Sequence, residues 1–333
     1  MPTPSAPNAL GLSDVNDELG NSSTAQINLS HSTVRTLAGV GSAPAVITMD
    51  ELRGVSSTYD IDYVSVAGGG SGGTVEGYTN GCAGAAGAGG MLTGTFSDVA
   101  GAGTITVTIG AGASARTGGQ QDGYAGSNTT ITSPLISNIT CIAGGFGGGG
   151  DNNDAGGTGG SGGSASSFPG PYNAGAAGTP GQGNAGGRSA NWNRGAGGGG
   201  GKGAAGGDAT SPNVQGAGGA GGATSIQGSP ATFAGGGGGG GSSENGGGAG
   251  GSGGGGAGGN TNQNGNSGTA NTGGGGGGSG NQGGDASGAG GSGIVILKVP
   301  TANYSTQTTG SPSVAESGDY KIIKFTGSGT LTT

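Results

Sequence analysis

The sequence predicts a mostly irregular, all-β fold. A small helical N-terminal module is expected first, then packed polyglycine-II helices framed by short β-strands. Three observations lead there. Glycine supplies 96 of 333 residues, while the net charge is only −8. Ordinary disorder pairs low hydrophobicity with high charge, and this chain is low in both. From Ala234 to Gly293 there is no Val, Ile, Leu, Met, Phe, Tyr or Trp, so these sixty residues cannot build a side-chain core. The tract then stops abruptly at Ile294-Val-Ile-Leu-Lys-Val299, which reads as a buried strand. Collagen is excluded because glycine does not recur strictly every third residue and proline is scarce.

Three regions follow from composition: 1–58, 59–299 and 300–333. In the first, three short helix signals appear, each with an apolar residue before a cap and a glycine at the stop. They are Leu12-Ser13 to Gly20, Leu29-Ser30 to Gly39 and Ile47-Thr48 to Gly54. Thr48 with Glu51 fits a capping box, and Ile47 with Leu52 fits a hydrophobic staple. So short a piece makes a marginal domain alone, and docking on a partner or self-association is expected of it. Leu12, Val15, Leu19, Val34, Leu37 and Leu52 are the apolar residues expected to make that attachment.

The second region opens on Ile61-Asp-Tyr-Val-Ser-Val66, an alternating strand that runs directly into Ala-Gly-Gly-Gly. Residues 92–97 and 104–109 read as two more strands, and 129–142 supplies one or two. The third region carries a strand at Tyr320–Phe325. Within 143–293 glycine-rich stretches alternate with short polar breaks. The stretches are 143–150, 155–163, 174–187, 195–207, 216–222, 234–241, 246–259 and 273–293. The breaks hold the Asn, Asp, Ser and Pro that make turns.

An extended three-residue turn leaves every N–H and C=O pointing sideways, and glycine lets such rods approach closely enough to bond one another. A rod of 10–14 residues would span roughly 30–45 Å at ~3.1 Å per residue. Ordering a residue costs ~1–2 kcal/mol and a net hydrogen bond returns ~1 kcal/mol, so the lattice should need bracing at its edge. The strands offer it, with Phe146, Trp192 and Phe233 as lids. A disordered low-complexity tail is the competing expectation.

Familiar chemistries find little footing. Gly216-Ala-Gly-Gly-Ala-Gly221 satisfies GxGxxG by composition alone, without strand–turn–helix context. In Gly197–Gly203 the residue after Lys202 is Gly203, not the Ser or Thr of a phosphate loop. His31 is the one histidine, and with the distant Cys82 and Cys141 it makes no metal set. The cysteines are expected as two buried thiols. Nine Lys and Arg are scattered without a basic patch for nucleic acid. No apolar run approaches the ~20 residues that span a bilayer, and no leader peptide is visible, so synthesis in a cytosol is expected. The expectation is a protein without catalysis, cofactor or metal.

What the tract offers is surface. If its rods are antiparallel, alternate breaks gather at one end. Three breaks are rich: Phe168-Pro-Gly-Pro-Tyr172, Arg188-Ser-Ala-Asn-Trp192-Asn193-Arg194, and the Asn-bearing 260–271 with Asn262 and Asn264. Aromatics flanked by Asn and Arg suit stacking on sugar rings and bonding their hydroxyls. The plain alternative is that Trp192 caps the lattice edge and the arginines solvate the turn.

The segments Leu12–Gly20, Ser23–Ile27, Val34–Val40 and Ile47–Gly54 resemble the N-terminal module of tailed-phage virion structural proteins. Tyr63-Val-Ser-Val-Ala-Gly-Gly-Gly70, Thr104–Gly110 and Gly291-Ser-Gly-Ile-Val-Ile296 look like the signatures of a phage glycine-rich domain. In that family a segment like Tyr320–Thr330 commonly precedes the tract, whereas here it follows. The resemblance implies a tail-associated virion protein assembled in the host cytoplasm. More narrowly, it implies a tail-fibre tip adhesin presenting loops to a host glycan or outer-membrane protein. The alternative is a purely structural tail, baseplate or capsid-surface part.

Overall fold

The computed structural model describes residues 58–75, 81–100, 103–150, 155–167, 173–190, 195–211, 214–242, 246–282 and 286–333. Their regular structure is antiparallel β-sheet. β1 (Tyr59–Val66), β2 (Met91–Val99), β8 (Ile294–Pro300), β9 (Ser313–Ser317) and β10 (Tyr320–Phe325) form one sheet in the order β2-β1-β8-β10-β9. β3 (Thr104–Thr108), β4 (Thr129–Thr132), β5 (Ile139–Cys141) and β11 (Gly329–Thr332) form a second, in the order β11-β3-β4-β5. β6 (Gly222–Thr224) and β7 (Ala231–Phe233) make a separate hairpin.

Period-two alternation explains the layering. On β8, Val295, Leu297 and Val299 meet Ile105, Val107, Ile131 and Leu331 of the second sheet. Ile294 and Ile296 point the other way, to Met91, Ala88 and Phe233. The centre of the first sheet is therefore buried on both faces, and β8 there reads as a continuous apolar run for that reason.

This corrects the expected architecture. Among the described residues the one helical element is a three-residue 3-10 turn, Thr301–Asn303. β-branched residues at period two favour strands, and glycine costs a helix about 1 kcal/mol per residue relative to alanine. The three helices expected within 1–58 lie outside the described residues. The glycine tract does not form rods of 10–14 residues either. Its extended segments run five to nine residues, as in 255–259 and 67–75. The chain reverses inside five of the expected rods, in two of them at left-handed glycines, Gly181 (φ 78°) and Gly253 (φ 91°).

Between the reversals, backbone hydrogen bonds rotate with a three-residue period. In 234–241, Gly235, Gly238 and Gly241 donate N–H to Gly253, Gly256 and Gly259. Gly236 and Gly239 donate to Gly219 and Gly216, and Gly237 and Gly240 to Ala86 and Ala83, all seven at 2.9–3.1 Å. Segment 67–75 follows the same rule toward 121–127, 288–291 and 84–87. Each segment thus bonds three neighbours in turn, as a threefold extended chain must when its polar groups point sideways.

Close approach makes glycine obligatory inside. A Cβ on Gly237 would sit well inside contact distance of Gly276 O, and one on Gly238 would strike Gly248 O. Where segments lie farther apart, buried serines bridge them. Ser164 Oγ accepts from Ala85 N–H at 2.8 Å and donates to Gly197 O at 2.6 Å. Ser279 Oγ accepts from Val75 N–H at 3.1 Å.

Candidate functional site

Direction along the lattice decides where its connections fall. Gly70 and Gly73 bond Gly87 and Gly84, so 67–75 and 82–90 are antiparallel. Gly276 and Ser279 bond Gly70 and Gly73, so 273–281 runs parallel to 67–75. Carried through the whole lattice, these pairings reverse direction from each segment to the next in sequence. Every junction with strands β1 to β8 therefore lies at one end, as at 66–67, 90–91, 233–234 and 293–294. Nine connections leave the other end, 75–82, 116–121, 150–155, 167–173, 190–195, 209–214, 241–246, 259–263 and 281–286, and their described residues belong to none of β1 to β8.

The residues bordering five of these connections are tied into one row. Ser189 N–H bonds Asn173 O at 3.1 Å and Ala190 N–H bonds Gly195 O at 2.8 Å. Gly195 bridges Gly241, whose carbonyl accepts Asn281 N–H at 3.1 Å, and Asn281 O accepts Asn262 N–H at 2.9 Å. Described residues bordering the polar breaks 168–172, 188–194 and 260–271 thus lie in that row. Phe168, Tyr172, Trp192, Asn193 and Arg194 themselves lie outside the described residues, as do Leu12, Val15, Leu19, Val34, Leu37 and Leu52.

The remaining three expected contact residues hold structural bonds. Arg188 Nε and Nη2 donate to Asp208 Oδ2 at 3.0 and 2.9 Å, and Arg188 N–H donates to Asp208 Oδ1 at 2.8 Å. That backbone N–H, and then the guanidinium, holds the Asp208 carboxyl below the usual carboxylate range. Asn262 sits at φ 59° in the turn after 259, a conformation that asparagine tolerates. Asn264 Oδ1 accepts Ala286 N–H at 2.9 Å. Asp208, twenty residues from Arg188 on the neighbouring segment, could not be found from spacing alone.

One pair at this end went unnoticed in the sequence. The Arg116 guanidinium lies 4.5 Å over the Tyr124 ring, with Nη1 donating to the Tyr124 hydroxyl. Tyr124 is 48% exposed. Segments 110–116 and 121–127 are too poor in glycine to stand out, yet they bond the lattice through Arg116–Ser287 and Ser71–Tyr124.

The glycine-rich domain family matches residues 51–300. The chain belongs to it. A search of curated proteins finds no match. In this glycine-rich domain both cysteines are buried; burial pushes the Cys141 thiol up, and its Sγ lies 3.2 Å from Ser65 O. Phe233 is buried beneath the first sheet, and Phe146 packs against Gly157. Among the described residues no three His, Cys, Asp or Glu are grouped to hold a metal ion, and no helix is long and apolar enough to cross a membrane. What the described residues present at this end is the anchored borders of nine connections.

Proposed function

We propose that this glycine-rich domain is a non-enzymatic, tail-associated virion protein, an adhesin that presents loops to a host-surface glycan or outer-membrane protein. The observation that carries this reading is the segregation of ends. Nine connections leave one end of the lattice, and the junctions with β1 to β8 lie at the other. β1 begins at Tyr59 on the side of the sandwich away from the lattice, so the chain enters opposite the loops. Residues 1–57 would then attach to other virion proteins while the loops face outward. A scaffold whose interior cannot change and whose loops can is suited to a variable receptor.

The test uses the labelled full chain against bacterial envelopes and immobilised glycans. Replacing 188–194 by Gly and Ser is expected to abolish retention on envelopes that hold the wild type. Equal retention of the two proteins would sink the adhesin reading.

A purely structural virion part is the second reading. It is favoured by the bonds of Arg188 and Asn264, which leave less of their side chains for a ligand. Immunogold labelling of particles separates the two, because an adhesin belongs at a distal tip and a structural part at a repeating lattice position.

A further inference from the structure

Edge strands carry unpaired N–H and C=O groups, and natural sheets blunt them. Three of the four edges of the two larger sheets are blunted. β2 carries a bulge, seen where Tyr59 pairs Val99 but Ile61 pairs Phe96, and its Asp98 sits at φ 56°. β5 is only three residues long, and Gln182 covers it through Nε2 to Thr140 O and Oε1 from Ile142 N–H. β11 is overlaid by 307–309, with Thr309 N–H to Thr330 O and Thr332 N–H to Gln307 O, both at 3.0 Å.

β9 is the exception. Among the described residues it pairs only with β10, in unbroken register from Ser317↔Tyr320 to Ser313↔Lys324, and it holds no Pro, Lys or bulge. Ser313, Val314, Ala315 and Glu316 are all exposed. The two-residue turn Gly318-Asp319 makes Ser317–Tyr320 a hydrogen-bonded pair, so Ser317, Ala315 and Ser313 bond inward. Val314 and Glu316 therefore direct their backbone groups outward. Val314, 40% exposed, lies beside the buried Ile323 and carries the sandwich's apolar face to the rim.

We propose that β9 is a self-pairing edge, its occupant the same strand of a second copy of this chain. Antiparallel pairing centred on Ala315 sets Val314 opposite Glu316 twice, so no like charges face each other. The outward groups of Val314 and Glu316 then bond each other, and two five-stranded sheets become one of ten. Glu316 keeps its bond to Lys321 on the inner side. The pairing uses the flank of the sandwich, not the loop-bearing end, and so does not depend on the adhesin reading.

Sedimentation equilibrium of the full chain tests it, with Val314→Lys and Glu316→Pro as variants. Proline at 316 removes one outward N–H and leaves the inward ladder to β10 intact. The wild type is expected to rise with concentration from 30.0 kDa toward twice that mass. Both variants should dimerise at least about tenfold more weakly with an unchanged far-ultraviolet spectrum. A wild type that stays at 30.0 kDa throughout, or a dimer that both variants leave intact, overturns the proposal.

Discussion

Leu297 in the sandwich and Gly237 in the lattice are both buried, but they are held by different means. Around Leu297 the neighbours are side chains, and burial is stabilising because apolar surface leaves water. Around Gly237 the neighbours are backbone, and the segment is held by hydrogen bonds to three other segments at once. The sandwich tolerates changes of shape that conserve volume, whereas the lattice has no volume to redistribute. The lattice is the stricter of the two, although its sequence looks the less specified.

The comparison can be broken most sharply at Gly237. Gly237→Ala places a Cβ against Gly276 O, backbone that cannot step aside, and we expect a loss of about 3–5 kcal/mol or failure to fold. Gly327→Ala is the control, since nothing lies within 4 Å of a Cβ there, and it should unfold within ~0.5 kcal/mol of wild type in urea. Leu297→Ala ranks next. It leaves a cavity between the sheets and should lower urea stability by about 2–5 kcal/mol, the usual range for a core leucine.

A serine inside the lattice should matter more than its size suggests. Ser164→Ala removes the acceptor of Ala85 N–H and the donor to Gly197 O while both stay buried, for an expected loss of about 1–3 kcal/mol by thermal unfolding. The smallest effect is assigned to Asp208→Asn. The Asp208 carboxyl is held below its ordinary pKa, so its contribution is full above the unfolded value of about 3.9 and is lost as pH falls through the folded one. Its pair with Arg188 is 59% and 41% exposed, so screening keeps the gap below ~1 kcal/mol at neutral pH. Urea midpoints of variant and wild type should converge as pH falls below the folded pKa of Asp208.

The strands that carry β-branched residues were legible. Ile61–Val66, 104–109, Ile294–Val299 and Tyr320–Phe325 fall within a residue or two of β1, β3, β8 and β10. β6 and β7 were missed because only Phe233 among their residues is a large hydrophobic, although Gly228 at φ 82° marks their turn. β9 was legible in principle, since Gly318-Asp319 before Tyr320 is a hairpin turn pattern. Segments 110–116 and 121–127 were not, because a threefold chain at the rim accepts Ala, Ser, Arg and Tyr on its open side. The length of the glycine segments was misread for a related reason. The reversals at Gly181 and Gly253 use left-handed glycines and those at 159–161 and 201–204 use none, so in glycine-rich sequence neither kind stands out.

For the candidate site, clustering of the breaks followed from segment direction, which sequence could offer only as a condition. The partners of Arg188 and Asn264 followed from which segments are neighbours, and no spacing rule supplies that.

Amide hydrogen exchange across 234–241 and 273–281 tests most directly whether backbone alone orders the lattice. Every amide from Gly235 to Gly241 donates to another segment. The expected result is exchange as slow as that of the central strand Ile294–Pro300, with both regions opening together. Exchange at the rate of an unstructured glycine peptide, while Ile294–Pro300 stays protected, would contradict it.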